Sequence, residues 1–83
     1  MNQADLIRKY VLDHYITPAR QQNQTTIKVV ASQVHSGLGL HARMPAVCGA
    51  LDADSFLDYA RVTLVSRSGP KQSSTATWVF MLR

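Results

Sequence analysis

No glutamate occurs in this chain: its five acidic residues are all aspartates, at positions 5, 13, 52, 54 and 58. It has one cysteine, Cys48, which rules out an internal disulfide and points to a reducing compartment such as the cytoplasm. No run approaches the roughly 18 apolar residues of a membrane span, so no membrane partner is expected. Asp5 and Asp13 interrupt the N-terminal residues, which are therefore not a secretory signal. Internal repeats and interdomain linkers are missing too, so residues 1–83 read as one domain. A chain of this size buries only about 60 % of its extended surface, which leaves little room for a deep enzymatic cleft. There is no glycine-rich phosphate loop, no Ser/His/Asp ordering and no glutamate for acid–base work, so no enzyme and no cofactor are expected. His35, His41 and Cys48 do not supply the regularly spaced ligands of a structural metal site, so no metal is expected either.

What is present is an uneven charge. Nine lysines and arginines give a formal net charge of +4. From His14 to Leu51 there are cations, Arg20, Lys28 and Arg43, but no acid. Asp52, Asp54 and Asp58 then crowd together without a base, and Arg61, Arg67, Lys71 and Arg83 follow without an acid. Two acid-free stretches around one acidic patch fit a fold with a positive and a negative face, and a positive face attracts polyanions through counterion release. Segregation along a chain does not by itself impose segregation in space.

Leu6, Ile7, Tyr10, Val11, Tyr15 and Ile16 recur at three- and four-residue spacings and predict an amphipathic helix over 3–16. Asn2 suits its N-cap, Asp5 suits the positive end of its dipole, and Thr17-Pro18 is expected to stop it. After a polar loop at 18–24, the β-branched run at 25–30, interrupted by Lys28, predicts a short strand. Val34 and Leu38 mark a short helix over 31–38, which Gly37-Leu38-Gly39-Leu40 ends in a tight turn. A further helix is predicted over 43–51, with Pro45 in its first turn and Met44, Val47, Cys48 and Leu51 facing inward. Residues 54–59 predict one more helical turn, 62–66 a strand, 68–74 a polar turn, and 75–82 the longest strand, with Ala76, Trp78, Phe80 and Leu82 on one side.

This order resembles a winged helix, the helix-turn-helix variant flanked by a β-hairpin wing. The residues that carry the resemblance are Val34, Leu38-Gly39-Leu40, Met44-Pro45-Ala46-Val47, Leu51 and the polar tip at 68–74. With His35, Arg43, Cys48 and Gly69-Pro70-Lys71-Gln72, the pattern resembles small winged-helix modules that accompany restriction or other DNA-processing proteins. The resemblance runs to Leu82 and implies a small α+β domain. Its order would be helix 1, short strand, helix 2, turn, helix 3, a short extra helix and a two-stranded β-hairpin wing, the first strand pairing with that hairpin. It departs from the pattern at His35, where the motif usually has a small residue, and at 54–59, which the pattern does not require.

The resemblance implies double-stranded DNA as partner, with helix 3 toward the major groove and the wing on backbone or minor groove. The outward residues expected on helix 3, Arg43, Ala46, Gly49 and Ala50, are nearly blank of base-reading groups, which implies weak sequence specificity. Candidate DNA contacts are Ser36, His41, Arg43 and Ala46 at the helix pair, Arg67, Lys71, Gln72, Ser73 and Ser74 on a flexible wing tip, and Lys28 on the first strand. Against these stand plainer readings: Arg43 paired with Asp52 or Asp54, and Arg67 and Lys71 as a hairpin end made soluble by charge. Gly49 suggests close approach by a groove or by another helix. The alternative function is a protein-interaction or dimerisation module without DNA binding, using the Ala46/Gly49/Ala50 face and the 52–58 patch, with a second copy, a partner protein or a larger parent chain. The DNA reading requires the cations of 67–71 to share a side with Arg43 and to leave the aspartates behind them.

Overall fold

Asn2 opens the first helix by accepting the Asp5 backbone N–H on its side-chain Oδ1 at 2.9 Å, an N-cap at the first turn. The computed structural model describes residues 2–83. Helix α1 (Gln3–Val11), a π-helical segment (Leu12–Ile16) and helix α2 (Thr17–Gln21) run end to end as one rod. The stop expected at Thr17-Pro18 does not occur. The Thr17 N–H donates to the Leu12 carbonyl five residues back, and this widened turn shifts the carbonyl that the Pro18 ring strikes in a regular α-helix. The same turn keeps the apolar stripe in line, since Ile7, Val11, Ile16 and Ala19 are all buried. In an unbroken α-helix, the five-residue step from Val11 to Ile16 leaves Ile16 about 140° off the stripe. The rod ends instead at Asn23 (φ 59°), where the Gln24 N–H reaches Ala19 O at 2.9 Å and the Asn23 N–H reaches Arg20 O at 3.0 Å, a Schellman stop. Leu6, expected on the buried face, is 49 % exposed.

Strand β1 (Thr26–Val30) runs directly into helix α3 (Ala31–Gly37). No side chain caps α3; the Ala31 and Ser32 N–H groups donate to the carbonyls of Ala76 and Ser74 at 2.9 and 3.1 Å. Gly39, in the left-handed region at φ 66°, closes α3 with a second Schellman stop, Leu40 N–H to His35 O and Gly39 N–H to Ser36 O. Helix α4 (Met44–Asp52) follows, with Pro45 in its first turn, then α5 (Asp54–Ala60) after a bend at Ala53. Arg61 (φ 58°) turns the chain into strand β2 (Val62–Ser68), and β3 (Thr77–Leu82) completes the chain's regular structure.

The three strands form one antiparallel sheet in the order β1-β3-β2. The domain is therefore α+β, with the first strand joined to the two later ones in a single three-stranded sheet. Ile27 pairs Phe80 and Val29 pairs Trp78 on one side of β3, while Val62 pairs Leu82 and Arg67 pairs Trp78 on the other, with an irregularity between Leu64 and Ser66. Strand β3 is shorter than predicted and β2 longer. Residues 73–76 are taken up by loop bonds, Ala76 N–H to Ser73 O and Thr75 N–H to Ser73 Oγ. Ala76, Trp78 and Phe80 point inward as expected and are fully buried with Ile7, Val29, Val34, Val47, Phe56 and Val62. Phe56 meets Phe80 at 5.3 Å between ring centroids. No helix among the described residues is long and apolar enough to cross a membrane.

Candidate nucleic-acid interface

Helix α4 buries Val47, Cys48, Ala50 and Leu51, so Ala50 is a core residue and not an outward one. Its exposed ridge carries Pro45, Gly49 and Asp52, with Ala46 half-buried beside it. Nothing lies within 4 Å of a methyl built on Gly49, so no other part of the chain requires glycine there. Arg43 is exposed at the start of the helix, and His41 and Ser36 are exposed nearby on the turn and on α3. The turn at 38–43 is held by His35, whose Nε2 accepts the Arg43 backbone N–H at 3.2 Å. That bond gives the His35 imidazole a structural role: it joins α3 to the first turn of α4. Arg43 forms no ion pair among the described residues: Asp52, its expected partner, lies at the far end of α4 and is paired with Arg67.

The Arg67 guanidinium Nε and Nη2 donate to the two Asp52 oxygens at 3.1 and 3.2 Å. Its Nη1 donates to the carbonyls of Ser68, Gly69 and Pro70, the Gly69 bond at 2.7 Å, and its carbon lies 5.1 Å from the Trp78 ring centroid. The Trp78 Nε1–H completes the group by donating to Asp52 Oδ1 at 2.8 Å. Burial pushes the Asp52 carboxyl up, but the hydrogen bonds from Arg67 and Trp78 and the charges of Arg67 and Lys71 outweigh it and hold the group below its ordinary value. Arg67 is thus a latch, where a wing cation free for phosphates was expected, and Asp52 stands beside the 67–71 cations instead of behind them.

The 69–76 loop is likewise docked, where a flexible tip was expected. Its Ser74 and Ala76 carbonyls receive the first N–H groups of α3, and the Ser73 carbonyl lies 3.7 Å from Cys48 Sγ on α4. Ser73 Oγ pairs with Thr75 Oγ1 at 2.9 Å, so Ser73 is spent on the loop's own structure. Gly69 (φ 85°) permits this fold, since a Cβ there lies 2.8 Å from Thr75 O. Lys71, Gln72 and Ser74 remain exposed on the loop's outer surface. Lys28 does not join them: Val29 points into the core, so Lys28 leaves the opposite, open face of the sheet, in a row with Val79 and Ser66.

Three further arginines anchor the fold, roles the sequence reading missed. Arg8 Nε donates to Ala50 O at 3.1 Å, Arg20 Nη2 to Ala60 O and Arg61 O at 2.6 and 2.7 Å, and Arg83 Nη2 to Val62 O at 2.7 Å. Several of these carbonyls lie at or beside helix C-termini, where cations are favoured. Lys9 bonds Asp13 one turn away. The cations without an ion-pair or hydrogen-bond partner among the described residues are Lys28, Arg43, Arg61 and Lys71.

The Cys48 thiol is buried against the loop; burial pushes its pKa up, which leaves it an apolar packing group. Among the described residues, no three His, Cys, Asp or Glu side chains are grouped to hold a metal ion. A cavity of about 260 Å³ opens between α1 and α5, lined by Asp5, Arg8, Ser55 and Tyr59. No protein-family model, curated protein or solved structure matches the chain.

Proposed function

We propose that this domain is a winged-helix module that binds double-stranded DNA through its backbone with little sequence preference, without catalysis, as the positioning part of a larger DNA-acting or restriction system. The observation that carries the reading is a ridge poor in polar side chains with a free cation toward each end; Asp52, the acid that was required to lie behind the cations, stands on the ridge but is neutralised by Arg67. Pro45, Gly49 and half-buried Ala46 offer no base-reading groups, while Arg43 stands at the start of α4 and Lys71 follows Pro70, whose carbonyl bonds the Arg67 that grips Asp52 at the helix's end. Nine residues of helix span about 13 Å, close to the ~12 Å width of the major groove. A helix of that length can lie at the groove with one cation near each phosphate wall. The strand order β1-β3-β2 and the helix pair joined at Gly39 also support the winged-helix assignment. On this reading Lys71, Gln72 and Ser74 form a low wing packed along α4.

Fluorescence anisotropy with unrelated duplexes over a range of salt tests the reading. Binding of similar strength to all duplexes is expected, and Arg43→Ala and Lys71→Ala should each flatten the log–log salt slope by about 0.9. Affinity that does not respond to salt overturns it. Exposed Tyr59, which lines the α1–α5 cavity, favours the alternative of a protein-interaction surface. Self-association abolished by Tyr59→Asp, without any duplex binding, supports that alternative.

A further inference from the structure

Three donors converge on one carboxylate at the seam between α4 and the 69–76 loop. Arg67 presents two N–H groups as a fork to Asp52, and the Trp78 indole N–H adds a third bond at 2.8 Å. The fork is held from behind: its third nitrogen is tied to the Gly69 carbonyl at 2.7 Å, and the Trp78 ring lies beneath the guanidinium. Lys71 follows Pro70, whose carbonyl accepts from the same Arg67 nitrogen at 3.2 Å. Asp52 is the more exposed partner of the ion pair. Its side chain is 33 % exposed, against 17 % for Arg67, and it is the last residue of α4, the helix end that disfavours negative charge. A rigid guanidinium fork with a neighbouring N–H and a lysine is chemistry suited to phosphate oxygens.

We propose that Arg67, the Trp78 indole N–H and Lys71 form a seat for one phosphate group, and that Asp52 keeps it shut by standing where the phosphate oxygens would lie. The seat itself stands on this geometry; its use for a DNA phosphate rests on the duplex-binding reading above. While Asp52 is in place, Arg67 adds nothing to polyanion binding. With Asp52 displaced, Arg67 adds one phosphate contact beside the α4 ridge.

The chain has a single tryptophan, so one indole N–H signal in a ¹H–¹⁵N NMR spectrum reports the seat. Wild type, Asp52→Ala, Asp52→Ser, Asp52→Asn and Asp52→Ala/Arg67→Ala are titrated with inorganic phosphate against chloride at matched ionic strength. A saturable phosphate-specific shift is expected in Asp52→Ala, none in wild type, and none in the double variant. If Asp52→Ala does not fold, Asp52→Ser, whose side chain is too short to fill the fork, carries the test with the same shift expected, whereas Asp52→Asn still stands in the fork and should show none. A folded Asp52→Ala or Asp52→Ser without a saturable shift, or a wild type that shifts equally, overturns the proposal. In the duplex assay, Asp52→Ala should steepen the salt slope by about 0.9, whereas Arg67→Ala alone leaves the wild-type slope unchanged. A phosphate response without duplex binding upholds the seat and removes the DNA reading. Duplex binding with no phosphate response and an unchanged slope does the reverse.

Discussion

Removing the Asp52 carboxylate should cost different amounts depending on what replaces it. Trp78 is fully buried, and its indole N–H has Asp52 as its acceptor. Asp52→Ala leaves that donor without a partner, a loss of about 1–3 kcal/mol. The ion pair with Arg67 is partly solvated and adds about 0.5–1 kcal/mol, for a total of about 1.5–4 kcal/mol. Asp52→Asn keeps an acceptor and loses only the charge, so about 1 kcal/mol is expected. Urea unfolding followed by Trp78 fluorescence separates the two variants, because a domain of this size loses stability at about 1 kcal/mol per molar urea. The pH dependence gives a second reading of the same contact. The folded carboxyl lies below its ordinary value of 3.8, so its contribution is complete above that pH and is lost as pH falls through the folded value. The stability gap between wild type and Asp52→Asn should therefore be constant near neutrality and close in acid. An asparagine variant as unstable as the alanine variant, or a gap that persists in strong acid, refutes the reasoning.

Other substitutions test the fold and the ridge. Gly49→Ala should raise stability by about 0.5–1 kcal/mol, seen as a higher Tm, because its methyl meets nothing and glycine is a poor helix former; a simultaneous fall in duplex affinity is expected if the ridge lies against DNA. Arg61→Gly should also stabilise, by about 0.5–1 kcal/mol in chemical denaturation, since Arg61 holds a left-handed conformation that costs an ordinary residue about 1–2 kcal/mol. Gly37→Ala should destabilise by about 1–2 kcal/mol, because its Cβ would lie 2.7 Å from Tyr10 Cζ and force that ring off its stack with His14; a thermal melt checks it.

Local chemistry was readable from the residues alone. The N-cap at Asn2, the glycine turn at Gly39, the proline-led start of α4 and the alternation of β3 each depend on groups within a few positions of one another, and each appears where expected. The first helix was predicted too short because proline rules assume regular α-helical geometry, and the π-helical segment removes the clash on which they rest. Asp52 left a faint signal, since a tryptophan in a core strand needs an acceptor for its N–H and Asp52 lies in the acidic patch.

Which cations face solvent could not be read from the chain, because their partners lie far along it. Arg8 and Arg20 reach backbone carbonyls 42 and 40 residues away, and Arg67 reaches a carboxylate 15 residues away. Periodicity and turn residues set the order of helices and strands through forces that act over a turn or a residue pair. Only closure of the sheet, with β3 between β1 and β2, brought the 69–76 loop onto α3 and α4 and turned Arg67 from a mobile cation into a clamp. A charge's availability depends on what surrounds it in three dimensions, and that is decided by packing.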